Sequence, residues 1–206
     1  TDLDGDALSV VAGTYITSQN VSVVVNADGS FTYTPTTDFN GVDSFTYRTN
    51  DGNSNSNVAT VTITVDPVND DPTVGGIVSD SASEDAAGFS VDLLNGSNDV
   101  DPSDVLNVSG VTVASGNAVG ITVSGYSLNV DPSAYEFLSV GESEVITFSY
   151  SIIDGNGGSV AQTATITITG TNDDPTVSGA VTAAADEDAD AITVDLLDGA
   201  DDVDNG

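Results

Sequence analysis

The hexapeptide Asn69-Asp70-Asp71-Pro72-Thr73-Val74 (NDDPTV) recurs as Asn172-Asp173-Asp174-Pro175-Thr176-Val177. The copies begin at 69 and 172, 103 residues apart, about the length of one small β-sandwich domain. The match runs on in register: NDDPTVGGIVSDSASEDAAGFSVDLLNGSNDVD (69–101) lies over NDDPTVSGAVTAAADEDADAITVDLLDGADDVD (172–204) without a gap. Self-similarity at a fixed period marks a tandem array and governs every local reading. The hexapeptide is also a physical joint. Proline fixes its own φ and pushes the residue before it to an extended conformation. The two adjacent carboxylates repel each other unless a cation lies between them.

Outward from the joints, the chain reads as short strands and turns. VSVVV (21–25) and SFTYT (30–34) flank NADG, a turn of the Asp-Gly kind that joins hairpin strands. Phe45 and Tyr47 alternate with Ser44, Thr46 and Arg48, and Val61, Ile63 and Val65 alternate with threonines. In the next repeat TVGGIVSD predicts a first strand, SED a turn and GFSVDLL a second strand. ITVSGYSLNV predicts a hairpin around Ser124-Gly125, and EVITFSYSIIDGNGGSVAQTATITITG copies the end of the first repeat. No segment carries a capped helical period. The expectation is an all-β chain of tandem immunoglobulin-like Greek-key sandwiches, about seven strands per complete repeat.

The repeat fixes expected boundaries: 1–68 as a repeat without its N-terminal strands, 69–171 as a complete repeat, and 172–206 as the opening strands of a third. TDLDGDALSV at the start matches DVDPSDVLNV (99–108), so the first repeat lacks roughly its first 30 residues by comparison with 69–98. Phe148, Tyr150 and Asp154 fall 103 residues after Phe45, Tyr47 and Asp51, whereas Asp99 falls only 97 after Asp2. The second repeat therefore carries about six extra residues, where SAYEFLSVGESE (133–144) replaces TDFNG (37–41). A repeat short of strands exposes edges, so completion of 1–68 by 172–204 of a neighbouring chain is an expected partnership.

One Lys or Arg stands against 33 Asp and Glu among 206 residues, a net charge of −32. That excludes nucleic-acid binding through phosphate neutralisation and argues against anionic membranes. No apolar run is long enough to insert in a membrane. Cys and His are both absent, which removes disulfides, zinc sites and the commonest general base. Paired carboxylates alone, in repeated loops without Trp platforms, do not make a glycosidase, and no enzyme is expected.

The carboxylates themselves cluster. One group is the joint: Asn69, Asp70 and Asp71, then Asn172 and Asp173. A second is the DxD loop: Asp2, Asp4 and Asp6, then Asp99, Asp101 and Asp104, then Asp202 and Asp204. A third is the first turn, Glu84 and later Glu187; the DG hairpins add Asp51 and Asp154. Sandwich topology predicts which meet. If the first strand runs down from the joint, the DxD loop and the DG hairpin return to the top, beside it. Asp99, Asp101, Asp104 and Asp154 should gather round the joint before their own domain, and Glu84 should face the joint after it. Calcium takes six to eight oxygen ligands, and every type it needs is here; magnesium demands tighter octahedral geometry. Against this stands the ordinary reading that Asp, Asn and Gly simply favour turns.

At this point DLDGDALSV, NADGSFTYTP, FNGVDSFTY and NVATVTITV–VNDDP resemble the tandem cadherin-like repeats of large bacterial surface adhesins. SEDAAGFSVDLL, DVDPSD, FSYSIIDGNGG and ATITITGTNDDP resemble related repeats of long secreted biofilm proteins. The resemblance covers the whole chain. It implies an extracellular Gram-negative multirepeat protein of the RTX class, exported by a type I system, with calcium at its domain junctions. Carried over, the pattern falls on Asp70, Asp71, Glu84, Asp99, Asp101, Asp104 and Asp154, then on Asn172, Asp173, Glu187, Asp202 and Asp204. The first repeat shows no acidic first turn, so its joint at 69–71 is expected to bind more weakly. The function expected is a calcium-stiffened spacer of an adhesin or matrix filament. The alternative is a carbohydrate-binding or homophilic adhesive module, with Tyr126 and Tyr135 as the aromatic candidates, of which Tyr135 is expected to pack at a sandwich corner.

Overall fold

The computed structural model describes residues 5–204, in two compact units, Thr1–Asn69 and Asp70–Gly206. Both are all-β. The first unit runs β1 (Ser9–Val10), β2 (Gly13–Ile16), β3 (Ser22–Val25), β4 (Phe31–Thr32), β5 (Gly41–Tyr47), β6 (Thr49–Asn50) and β7 (Ala59–Val65). β2, β3 and β4 form one antiparallel sheet, and β5 pairs with β7 from Gly41↔Val65 to Tyr47↔Ala59. The period-2 pattern sets the core: Val23, Val25 and Phe45 are buried, with Tyr15, Tyr33, Val61 and Ile63 packed against them. The β3–β4 turn closes on Gly29 at φ +89°, a value an L side chain rarely adopts.

The second unit continues with β8 (Thr73–Val74), β9 (Val78–Ser83), β10 (Phe89–Asp92), β11 (Ser97–Asn98), β12 (Asn107–Ser115), β13 (Ile121–Ser124), β14 (Ser127–Val130), a 3-10 turn (Pro132–Tyr135), β15 (Ser143–Ile153) and β16 (Ser159–Thr169). One sheet has the order β12-β15-β16-β9, the other β10-β14-β13, with β8 paired to β11. Ile146, Phe148, Tyr150 and Ile152 of β15 and Ala164, Ile166 and Ile168 of β16 are buried between the sheets. The Tyr150 hydroxyl ties them together by donating to the Leu93 carbonyl at 2.9 Å.

TVGGIVSD is not one strand. β8 and β9 lie in different sheets, and β9 is parallel to β16 from Val78↔Ala164 to Ser83↔Thr169. The switch occurs at Gly75-Gly76, where a Cβ on Gly75 would meet the Gly96 carbonyl oxygen at 3.2 Å. The buried Gln162 amide donates to the freed Gly76 carbonyl at 2.6 Å. The hairpin turns at Gly125-Tyr126, since Ser124 pairs with Ser127, one residue past the centre expected from the sequence.

Among the described residues after the second joint the strands are β17 (Thr176–Val177) and β18 (Ala200–Asp201), in the register of β8 and β11. The residues matching β9 and β10 stay irregular. In the complete repeat those strands are held by β16 and β14. Ile192 and Leu197 are exposed for want of such a cover.

Candidate metal centre

The DxD loops at 99–104 and 202–204 are shaped by their own carboxylates. Asp99 Oδ1 accepts the Asp101 N–H at 2.9 Å, and Asp101 Oδ2 accepts the N–H of Asp70 in the joint at 2.8 Å. One period later Asp202 Oδ1 accepts the Asp204 N–H at 3.0 Å, and Asp204 Oδ2 accepts the Asp173 N–H at 2.9 Å. The geometry is the same because the sequence is. A short acidic side chain two residues before an amide closes a local turn, and its neighbour is then free to clamp the joint.

Two carboxylate groups result. Asp99, Asp101 and Asp104 each place an oxygen within 4.8 Å of the others, and so do Glu84, Asp173 and Asp204. Glu84 is fully buried at the end of β9, where its N–H donates to the Thr169 carbonyl at 3.1 Å. Its Oε1 accepts the Thr171 N–H at 2.6 Å, and the Thr171 hydroxyl donates to Asp85 Oδ2 at 2.6 Å. The parallel pairing of β9 with β16 is what carries Glu84 to the joint after its own repeat.

Among the described residues, the buried side-chain polar atoms without a hydrogen-bond partner are Glu84 Oε2, Asp99 Oδ2, Asp104 Oδ2, Asp173 Oδ2 and Asp204 Oδ1. All five belong to these two groups. A buried polar atom left unpaired costs about 1–3 kcal/mol, and more when charged. Burial, reinforced by the charges of Asp204, Asp85, Asp202 and Asp174, pushes the Asp173 carboxyl above its ordinary range. The chain's single cationic side chain, Arg48, donates to the Ser56 carbonyl at 2.6 Å in the first unit. These acidic clusters could hold a metal, and an oxygen-only donor set selects a hard cation.

The other candidates lie as follows. Asp71 Oδ1 accepts the Ser159 N–H at 3.1 Å, and Asn156 reaches Asp104 Oδ1 at 2.6 Å, so the DG hairpin does arrive beside the DxD loop. Asp154 itself is buried under its own turn, where Oδ1 accepts the N–H groups of Asn156, Gly157 and Gly158, and it stands outside the Asp99 group. Asp51 closes the matching turn on Asn53 and Ser54, both at 2.7 Å. Asp6, Asn69, Asn172 and Glu187 are exposed, and Asp202 acts through the Asp204 N–H. Asp2 and Asp4 lie outside the described residues. Tyr135 is fully buried with its hydroxyl on the Asn117 carbonyl at 2.8 Å, which removes it as a surface platform; Tyr126 is 53% exposed at a hairpin tip.

Sequence reasoning missed Asp43. It is fully buried on the apolar face of β5, two residues before Phe45, and the period-2 count back from Phe45 would have found it. Burial alone would raise its carboxyl. Hydrogen bonds from Thr17, Ser18, Ser44 and Gln19 outweigh burial and hold it well below the usual carboxylate range. Tyr33 adds its hydroxyl at 3.0 Å. Its contribution to stability is full above the unfolded value of about 3.9 and is lost as pH falls from there toward the folded one. Melting of the intact protein and of Asp43→Asn should differ by a constant gap from pH 7 to about pH 4, and the gap should close below that. A gap unchanged down to pH 2 would refute this role.

Comparison with known proteins agrees with the fold. Residues 1–67 match the family model described as bacterial cadherin-like domain, and residues 68–169 match that of the cadherin-like domain. Over residues 1–169 the chain thus belongs to the cadherin-like domains in tandem, the first of them of the bacterial kind. Among solved structures it is similar to human mucin-like protocadherin EC1-2, with 14% identity, TM-score 0.54, and coverage of 82% of this chain and 86% of that one. It is also similar to human CDH23 EC21-23, with 17% identity, TM-score 0.55, and coverage of 97% and 69%. At these identities the likeness is one of fold. No curated protein matches the chain. Among the described residues no helix is long and apolar enough to cross a membrane.

Proposed function

We propose that the chain is a calcium-stiffened extracellular spacer of a bacterial adhesin or matrix filament. The observation that carries this reading is the set of five buried, unpartnered carboxylate oxygens, all in two groups at the repeated joint and DxD loop. Glu84, Asp173 and Asp204 would hold one calcium ion, with Asp99, Asp101 and Asp104 holding another. Bound calcium supplies positive charge that neutralises oxygens no side-chain cation reaches. The protein's own part is positional: β9 delivers Glu84, the DxD loop clamps the joint amide, and the prolines keep the joint extended. Locking successive sandwiches turns a flexible string into a stalk that projects or assembles binding domains. A cell-surface location, a Gram-negative source and type I export belong to the same reading and rest on the sequence resemblance.

Calorimetric titration with calcium tests it. Binding should saturate at both groups, and Glu84→Gln should weaken only one by tenfold or more. No heat at millimolar calcium would end the proposal. The same samples read strand complementation by light scattering, because the outer edge of β7 and the strands after the second joint would be completed by repeat sequence of a neighbouring domain. A strict monomer rules out pairing between copies. The second reading, glycan or homophilic recognition, keeps Tyr126 of its two tyrosine candidates as an exposed platform.

A further inference from the structure

The extra residues of the second repeat have a place in this architecture. The loop from Glu136 to Glu142 is anchored by two buried side chains, Tyr135 and Leu138. It closes on itself: the Glu142 N–H donates to the Ser139 carbonyl at 2.9 Å, and the Ser139 N–H to Glu142 Oε2 at 3.2 Å. From there it makes two contacts at the second joint. The Gly170 N–H donates to the Glu142 carbonyl at 3.1 Å, and the Ser139 hydroxyl donates to the Asp204 carbonyl oxygen. Gly170 permits the first contact sterically. A Cβ there would overlap the carbonyl oxygens of Leu138 and Ser139. Asp204 is the residue whose carboxylate clamps Asp173 and faces Glu84.

We infer that Ser139 and Gly170 are positioning residues, through which the 136–142 loop fixes the Asp204 loop and preorganises the Glu84–Asp173–Asp204 centre before any ion arrives. The loop holds the backbone of Asp204 while the carboxylate of Asp204 stays aimed at the joint. Less ordering is then left for the cation to impose, so the centre binds more tightly. The first repeat has only TDFNG (37–41) at the corresponding place. The length of this loop thus sets how far the second joint is ordered, independently of its carboxylates.

This inference rests on the calcium reading for its affinity readout but not for its metal-free one. Two variants are compared with the intact chain, Ser139→Ala and Gly170→Ala, with inorganic calcium as the probe. In calorimetry, both should raise Kd at the Glu84 centre, Gly170→Ala by about tenfold and Ser139→Ala by a few-fold, and leave the Asp99 centre unchanged. In EDTA, amide hydrogen exchange at 199–204 and at Gly170 should speed up in both variants while the β15–β16 amides keep their protection. If calcium binds nowhere, the functional reading fails and the exchange result alone decides the loop's role. If exchange at 199–204 is the same in all three proteins, or both centres weaken equally, the positioning role is overturned. Loss of β15–β16 protection in Gly170→Ala would mark general unfolding, and the Ser139→Ala result then decides.

Discussion

Stripping calcium from the protein is expected to lower the melting temperature of the second unit by on the order of 10–20 °C. At free calcium about 1,000 times Kd, a ligand that binds only the folded state stabilises it by about 4.1 kcal/mol. For a domain of between 100 and 150 residues, 1 kcal/mol corresponds to roughly 3–5 °C. The structural reason for a large effect is that Glu84 is fully buried and one of its oxygens has no partner. Without a cation, Asp173 and Asp204 bring further negative charge to the same place, and the raised Asp173 carboxyl shows the direction of that conflict. Magnesium at the same concentration should restore much less, since its octahedral shell tolerates an irregular carboxylate group poorly. Calorimetric scans in calcium, in magnesium and in excess EDTA make the comparison. Coincident transitions in calcium and EDTA would defeat the expectation.

Ile166→Ala should cost about 2–5 kcal/mol of the second unit's stability, the range for emptying a well-packed core position. Ile166 is fully buried in the middle of β16, which is flanked by β15 on one side and β9 on the other. Its counterpart one period earlier is Ile63, in a closely similar strand, ATVTITV (59–65) against QTATITI (162–168). Ile63 is only partly buried, because β7 pairs with β5 alone. Ile63→Ala should therefore cost clearly less. Urea unfolding followed by circular dichroism resolves the pair, read as separate transitions because two units need not unfold together. Equal losses would mean that the cover supplied by β9 adds nothing to the core.

How much of this was legible in the residues differs from place to place. The strand pattern of β15 and β16 was plain, because a strand buried on one face alternates strictly. The division of TVGGIVSD into β8 and β9 was not, because the pattern runs on across Gly75-Gly76 and only the second sheet reveals the switch. The meeting of Glu84 with Asp173 and Asp204 follows from sandwich topology and was expected. Asp154 was expected beside the joint; in the structure it also closes its own turn on three N–H groups, a role that an Asp before a Gly supports but that residue order alone does not reveal.

By itself the sequence determined the period, the all-β class, the joint and the absence of every metal ligand except oxygen, since each of these is a property of residue order or residue type. Only the tertiary structure decided which carboxylate oxygens are shut away from water without a donor, that hydrogen bonds from Thr17 and Ser18 meet the Asp43 carboxylate, and that a loop six residues longer reaches across to Asp204. Burial and partnership depend on residues dozens of positions apart meeting in space, and no local pattern encodes that distance.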